Sequence, residues 1–205
     1  MKKDYILGVL FFSGIWGAFE VVLGGFLYSR AITCASAYLT VIGFAILTIA
    51  CIYLPQKGQA TFIGLIAMFY KFLNTPFFAC HLLGIFILGF SYDLVFNFSK
   101  IKNKAICAVL STYCGYILFA LSITYIFRYP HWLNAGPLKI IRYVGLSGSL
   151  AACLNSVMVP LVFNLAQRLR DSVSSPFIVK SRFATSSIVS LITLTLWLLG
   201  AMRCF

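Results

Sequence analysis

The stretch SGIWGAFEVVLGG, residues 13–25, is an apolar run that contains a single carboxylate, Glu20. A charged side chain at membrane depth costs about 2.5–3.5 kcal/mol on insertion scales, so a membrane helix rarely carries one without a use for it. At 3.6 residues per turn, one face of a helix here carries Trp16 and Glu20 together with the small residues Ser13, Gly17 and Gly24. Large apolar side chains occupy the opposite face. The stretch therefore predicts a membrane-spanning helix whose inner face holds one acid.

The composition of the whole chain is typical of a membrane protein. Of its 205 residues, 61% are hydrophobic and 10% are charged, and the mean hydropathy is +0.98. A soluble domain has about one-quarter charged residues. Apolar runs long enough to cross about 30 Å of hydrocarbon recur along the sequence. We predict an all-α polytopic membrane helix bundle that forms a single integral membrane domain over residues 1–205, with no room for a soluble catalytic domain.

The bundle is predicted to have six or seven transmembrane helices, because there are seven hydrophobic segments: about 5–27, 32–54, 60–73, 76–97, 105–127, 143–166 and 184–202. The third segment is too short to span the membrane upright, so we predict a tilted or partial helix packed inside the bundle. With seven spans the two termini lie on opposite sides of the membrane. Without the seventh span both would be cytoplasmic.

The distribution of Lys and Arg predicts a cytoplasmic N-terminus, because cytoplasmic loops carry the excess of these residues. In that orientation ten lie inside: Lys2, Lys3, Lys57, Lys100, Lys102, Lys104, Arg168, Arg170, Lys180 and Arg182. Six lie outside: Arg30, Lys71, Arg128, Lys139, Arg142 and Arg203. The net charge of +12 thus reflects short membrane-flanking loops, and we predict no nucleic-acid partner.

Polar residues on two later segments are candidates to face the same interior as Glu20. His81 shares a helical face with Tyr92 on the fourth segment, and Asn155 lies on a small-residue stripe of the sixth. Glu20 and His81 are expected at similar depth in the outer third of the membrane, which favours a cavity lined by both. Whether their helices touch stays open. The predicted substrate-binding residues are Glu20, Trp16, His81, Asn155 and Tyr92.

No catalytic or metal-binding motif accompanies these residues. The sequence GLSG at 145–148 is similar to the nucleophile motif of rhomboid intramembrane proteases, but no histidine follows Ser147 to act as the base that this chemistry needs. The seven cysteines form no Cys-x-x-Cys pair and share no ligand spacing with a histidine. We therefore predict a binding protein, not an enzyme, with no cofactor and no metal.

The first hundred residues resemble the S components of energy-coupling-factor (ECF) transporters, the substrate-binding membrane subunits of these systems. The segment GIWGAFEVVLGGFL looks like the first-helix pattern Trp-Gly-x-x-Glu-x-x-x-Gly of uncharacterised members, at Trp16, Gly17, Glu20 and Gly24. The segment PQKGQATFIGLIAMFYKFL, residues 55–73, is similar to their connection between the second and third helices. The likeness covers roughly residues 8–100.

The resemblance implies a protein of the cell membrane that binds a scarce nutrient near the outer face. It implies that the protein delivers the nutrient by toppling in the membrane against an ECF transmembrane subunit. Cytoplasmic ATPases, acting through that subunit, would drive this step. The family docks through a small-residue pair on the first helix, and here either Ser13 with Gly17 or Gly14 with Ala18 would take that part. The chain begins Met-Lys, not with the Met-His of the nickel and cobalt members.

The substrate class can be bounded from the same residues. Trp16 and Tyr28, with Phe77 and Tyr92, are candidates to stack against a flat ring, and Glu20 favours a cationic or donor-rich group. A vitamin or precursor with a nitrogen heterocycle fits this description. Two alternatives stay open: a non-transporting scaffold or assembly protein, and a membrane enzyme that acts on a lipid with Glu20 and His81 as acid and base.

Overall fold

The computed structural model describes residues 2–54, 56–70, 79–173, 191–192 and 194–195, and all secondary structure in these residues is helical. Four helical stretches are long and apolar enough to cross a membrane: Tyr5–Ser29, Ala35–Tyr53, Lys104–Ile126 and Gly136–Ser172. Shorter apolar helices cover Gln59–Met68 and Cys80–Phe96. The predicted all-α membrane helix bundle, with its short third helix, is confirmed.

Eight α-helices follow one another along the described chain: α1 (Lys2–Ser29), α2 (Ala35–Tyr53), α3 (Gln59–Met68), α4 (Ala79–Phe96), α5 (Lys104–Leu121), α6 (Pro130–Leu133), α7 (Gly136–Arg142) and α8 (Ser149–Val173). Two π-helical turns, Ser122–Ile126 and Tyr143–Gly148, extend α5 and join α7 to α8. The predicted end of the third segment at 73 lies outside the described residues. So does most of the seventh segment, of which only 191–192 and 194–195 are described, as helix.

The sixth predicted segment is longer than expected at both ends. We predicted 143–166, with a loop at 128–142, but the helical stretch runs from Gly136 to Ser172 and α6 lies just before it. Leu138 and Ile141 of the extension are largely exposed, and the glycine, proline and two cations at 136, 137, 139 and 142 give this helix the composition of a loop. Pro160 lies within α8 without ending it.

The short helix α3 lies inside the bundle, where it packs most extensively against α4 and also contacts α1. Two glycines allow the backbones of α3 and α4 to touch. A Cβ atom on Gly89 would lie 2.5 Å from the carbonyl oxygen of Ala60, and one on Gly64 would lie 3.3 Å from the Cα of Gly89. Close backbone approach through small residues is the usual way in which membrane helices associate.

Asp93 of α4 supplies the N-terminal cap that α3 lacks. The N-cap residue of α3, Gly58, has a left-handed φ of 85° and offers no side chain. A carboxylate oxygen of the buried Asp93 accepts hydrogen bonds from the backbone nitrogen and the hydroxyl of Thr61, both at 2.6 Å. The other carboxylate oxygen accepts from the amide of Asn97. An acid at a helix N-terminus also interacts favourably with the helix dipole, so Asp93 is a structural carboxylate.

Candidate ligand-binding cavity

A cavity of about 360 Å³ opens where α1 and α5 end and where α2 and α4 begin. Its volume lies within the roughly 300–1,000 Å³ range of small-molecule sites. The lining comes from α1, the connection after it, α2, α4, α5, α6 and the π-helical turn before α8, namely Glu20, Tyr28, Ile32, Cys34, Ala35, Ser36, Leu39, Thr40, Cys80, His81, Gly84, Ile85, Leu88, Gly115, Tyr116, Phe119, Trp132, Tyr143 and Ser147. Under the predicted orientation this end of the bundle is the outer one.

Glu20 lines the cavity with only 6% of its surface exposed. It lies about 13 Å from the end of α1 at 1.5 Å per residue. Two turns nearer that end, the ring of Tyr28 stacks on the imidazole of His81, with centroids 5.0 Å apart and an interplanar angle of 18°. The stacked pair brings one side chain of α1 against one side chain of α4 at the cavity, which is the contact between these helices that the sequence left open.

The opposite lining is an aromatic wall made of Tyr116, Phe119, Trp132 and Tyr143. Tyr143 lies at its centre, with ring centroids 5.0 Å from Tyr116, 5.7 Å from Phe119 and 5.1 Å from Trp132. The hydroxyl of Tyr116 is hydrogen-bonded to that of Thr40 at 3.3 Å, which ties the wall to α2. The π-helical turn from Tyr143 to Gly148 lets both Tyr143 and Ser147 face the cavity, and such turns recur at functional sites.

Of the five predicted substrate-binding residues, Glu20 and His81 line the cavity, and the other three lie elsewhere. Trp16 is fully buried and packs against Gly43, where an added Cβ would lie 2.9 Å from the indole. Tyr92 is hydrogen-bonded to Thr48 at 3.0 Å and stacks on a neighbouring phenylalanine. These side chains belong to the packed core of α1–α4, so we do not assign them to the cavity.

Asn155 lies in a separate polar contact between α5 and α8. Its amide nitrogen donates to the hydroxyl of Thr112 at 2.9 Å, and both side chains are buried. Trp16 shares a helical face with Glu20, and Tyr92 shares one with His81, but a face extends over many turns and the cavity occupies only one end. Tyr92, for example, lies about 16 Å further along α4 than His81.

The predicted docking residues on α1 pack inside this chain. Ser13, Gly14 and Gly17 are buried, and Ala18 is half-buried. A Cβ atom on Gly17 would overlap the ring of Tyr70. The close approach that the small residues permit is therefore taken by α3 and the turn that follows it, and a partner helix would have to displace Tyr70 to reach Gly17.

Sequence reasoning missed most of the aromatic wall. Trp132 and Tyr143 fall in or beside the segment that we predicted as an outer loop, and no helical wheel links them to Tyr116 and Phe119. The available signal was two aromatic residues in that loop, Tyr129 and Trp132, with Tyr143 directly after it, on the same predicted side as Glu20 and His81. Phe77, the remaining candidate for ring stacking, lies outside the described residues.

The charge of the lining is distinctive in a chain with 16 Lys and Arg residues. Among the described residues that line the cavity, Glu20 is the acid and none is Lys or Arg. Cys34 and Cys80 are free thiols there, and the described part of the chain contains no group of three His, Cys, Asp or Glu residues that could hold a metal.

Comparisons of the chain with protein-family models, with curated proteins and with solved structures find no match.

Proposed function

We propose that this chain is the substrate-binding membrane subunit of an uptake transporter and that it captures a small solute in the cavity between Glu20 and the aromatic wall. The observation that carries the proposal is a largely buried carboxylate that lines a ligand-sized cavity together with four clustered aromatic rings. Sites for small molecules typically combine apolar and aromatic walls with a few oriented polar groups.

A comparison between the two acids that are buried among the described side chains, Glu20 and Asp93, supports a ligand role for Glu20. Asp93 is the acid that holds helices together, because its oxygens accept hydrogen bonds from Thr61 and Asn97 at the junction of α3 and α4. Asp93 does not line the cavity, whereas Glu20 does. Glu20 therefore borders a volume in which a ligand could lie, and Asp93 does not.

The direction of transport follows from the distribution of cations. With ten Lys and Arg on the N-terminal side and six on the other, the positive-inside rule assigns the cavity to the outer face of a multi-pass protein in the cell membrane.

The sequence has no Walker motif, so the proposal requires partners that supply energy. An ECF-type transmembrane subunit with cytoplasmic ATPases would fill that role, and a vitamin or vitamin precursor is the proposed cargo.

The proposal is tested by identifying what the protein binds. The chain is purified in mild detergent and analysed by native mass spectrometry, alongside Glu20→Gln and the control Asp171→Asn, which removes an exposed carboxylate. We expect the wild type and the control to release the same small molecule, and Glu20→Gln to release much less. Absence of any bound molecule from protein made in rich medium, or equal retention by Glu20→Gln, would contradict the proposal and favour the scaffold alternative.

A further inference from the structure

We infer that Gly84 is a specificity-determining residue of the cavity. It leaves one side of the Phe119 ring bare, so that a flat ring can contact the aromatic wall there, and it limits the size of the ring that the cavity admits. The inference rests on the proposed function and names the shape of its substrate. Three observations carry it: the position of Gly84, the space beside it, and a comparison with other glycines of the helices.

Gly84 lies in the lining of the cavity, on the face of α4 that also carries His81. It is three residues further along α4 than His81, which at 1.5 Å per residue places it about 4.5 Å deeper than the histidine that stacks on Tyr28. Leu88, one turn further still, lines the cavity as well. Gly84 is half-buried and is therefore a cavity residue in the interior of a helix.

A side chain at position 84 would enter the cavity beside the aromatic wall. A Cβ atom added to Gly84 would lie 3.7 Å from both Cδ2 and Cε2 of Phe119, and apart from α4 itself the described residues place no other atom within 4 Å of it. A separation of this size is ordinary van der Waals contact, so a methyl group would fit there and would cover this side of the ring. With glycine, this side of Phe119 stays open to a ligand.

Packing accounts for other glycines of the helices but not for Gly84. An added Cβ atom would lie 2.5 Å from the carbonyl oxygen of Ala60 at Gly89, and 2.9 Å from the hydroxyl oxygen of Ser91 at Gly115. Both separations are shorter than van der Waals contact, so a methyl group would displace a neighbour. No described neighbour requires glycine at position 84, although glycine is less favourable than alanine inside a helix. Room for a ligand is a reason to have glycine there.

The surroundings of Gly84 suit a flat ring. Phe119 makes an edge-on contact with Trp132 and a tilted contact with Tyr143, both with ring centroids 5.7 Å apart. A ligand that touches Phe119 beside Gly84 therefore meets the aromatic wall. Stacking of heterocycles on aromatic side chains depends little on which heterocycle is bound, because every such ring has a π face. Two fused rings fill more of this space than one ring, so they are more sensitive to a side chain at position 84.

The test uses two neutral flat rings of different size, so that charge plays no part. Adenine has two fused rings and nicotinamide has one, and both dissolve in water. Binding is measured by ligand-observed NMR titration of the full chain in detergent, with empty micelles as the blank, for the wild type, Gly84→Ala and Gly25→Ala. Gly25 is the matched control, because it is exposed in α1 and an added Cβ atom would meet no atom of the described residues within 4 Å.

We expect the wild type to bind both rings. Gly84→Ala should weaken adenine binding about 5- to 100-fold, because an extra methyl group is forced into a filled site, and should weaken nicotinamide binding less. The melting temperature of Gly84→Ala without ligand should equal or exceed that of the wild type, since alanine favours the helix. Gly25→Ala should show a similar effect on stability with the affinities of the wild type.

Several results would overturn the inference. Unchanged adenine affinity in Gly84→Ala, or equal losses for the two rings, would show that position 84 does not limit ring size. A melting temperature of Gly84→Ala below that of the wild type would show that the glycine is needed for packing. If the wild type does not bind adenine, the bare side of Phe119 is not a site for fused rings. In each case native mass spectrometry of the co-purifying molecule decides the proposed function separately.

Discussion

The ring of Tyr28 lies flat against the imidazole of His81, with centroids 5.0 Å apart, and this contact joins the end of α1 to the start of α4 at the cavity. Tyr28 is 47% exposed, so the pair lies toward the opening, whereas Glu20 lies deeper. The stacked pair thus orients a histidine that lines the cavity, and both side chains form part of the lining near the opening.

Replacement of Tyr28 by Leu should weaken ligand binding more than it weakens the fold. An aromatic pair contributes about 0.5–1.5 kcal/mol beyond burial, so we expect a roughly 2- to 12-fold loss of affinity for the co-purified molecule. Tyr28→Phe keeps the ring and is the matched control, with affinity close to that of the wild type. Equal losses in both variants would show that the hydroxyl matters and not the stacking.

Asp93→Ala should destabilise the bundle strongly, because it removes the cap of α3 and leaves the donors of Thr61 and Asn97 without their acceptor. Loss of a cap costs about 0.5–2 kcal/mol, and each buried donor left unsatisfied costs about 1–3 kcal/mol. We expect a clearly lower melting temperature in detergent. Asp171→Asn, at an exposed acid, should melt like the wild type. A melting temperature for Asp93→Ala within one or two degrees of the control would show that the cap is dispensable.

Gly17→Ala should also destabilise the fold, because the new Cβ atom would overlap the ring of Tyr70. Overpacking of this kind costs about 1–3 kcal/mol. The adjacent change Ala18→Leu, at a half-buried site, should be milder. Adding Tyr70→Leu to Gly17→Ala should restore part of the lost stability, since the smaller side chain leaves room. If the loss of stability in the double variant equals the sum of the losses in the two single variants, overlap with the ring of Tyr70 is not the cause.

The helical wheels and the depth argument predicted much of the fold and two residues of the cavity. Apolar runs of membrane length predicted the main helices, and equal depth linked Glu20 to His81. The structure places Trp16, Tyr92 and Asn155 outside the cavity lining, because periodicity identifies an inward face and not which turns of that face border open volume. The role of Gly17 could not be predicted either, since its neighbour Tyr70 comes from a different helix-turn segment, more than fifty residues away in sequence.

The aromatic wall lay beyond sequence reasoning for a related reason. It combines α5, α6 and a π-helical turn, so its members are brought together only by the tertiary fold. Trp132 gave no periodic signal because α6 has a single turn. The role of Asp93 likewise depends on the tertiary fold, because the glycines at 64 and 89 bring the backbones of α3 and α4 into contact and so place Asp93 at the start of α3.

The predicted orientation is tested with single cysteines introduced into a cysteine-free version of the chain. Cysteines at His131 and Lys139 should react with a membrane-impermeant maleimide added to intact cells, whereas cysteines at Lys57 and Lys102 should react only after the membrane is opened. Labelling of position 102 in intact cells, with protection of 131, would invert the topology. The cavity would then face the cytoplasm, and capture from outside would be contradicted.

The most direct test of the central claim, that Glu20 binds a ligand and does not merely hold helices together, is to measure melting temperature and affinity on Glu20→Gln. The change keeps the shape of the side chain and removes its charge. A hydrogen bond to a charged group contributes roughly 1.5–3 kcal/mol, so affinity for the molecule released by the wild type should fall about 10- to 100-fold. The melting temperature of the ligand-free protein should change little, or rise because a desolvated charge is removed. A large loss of stability with unchanged affinity would contradict the account.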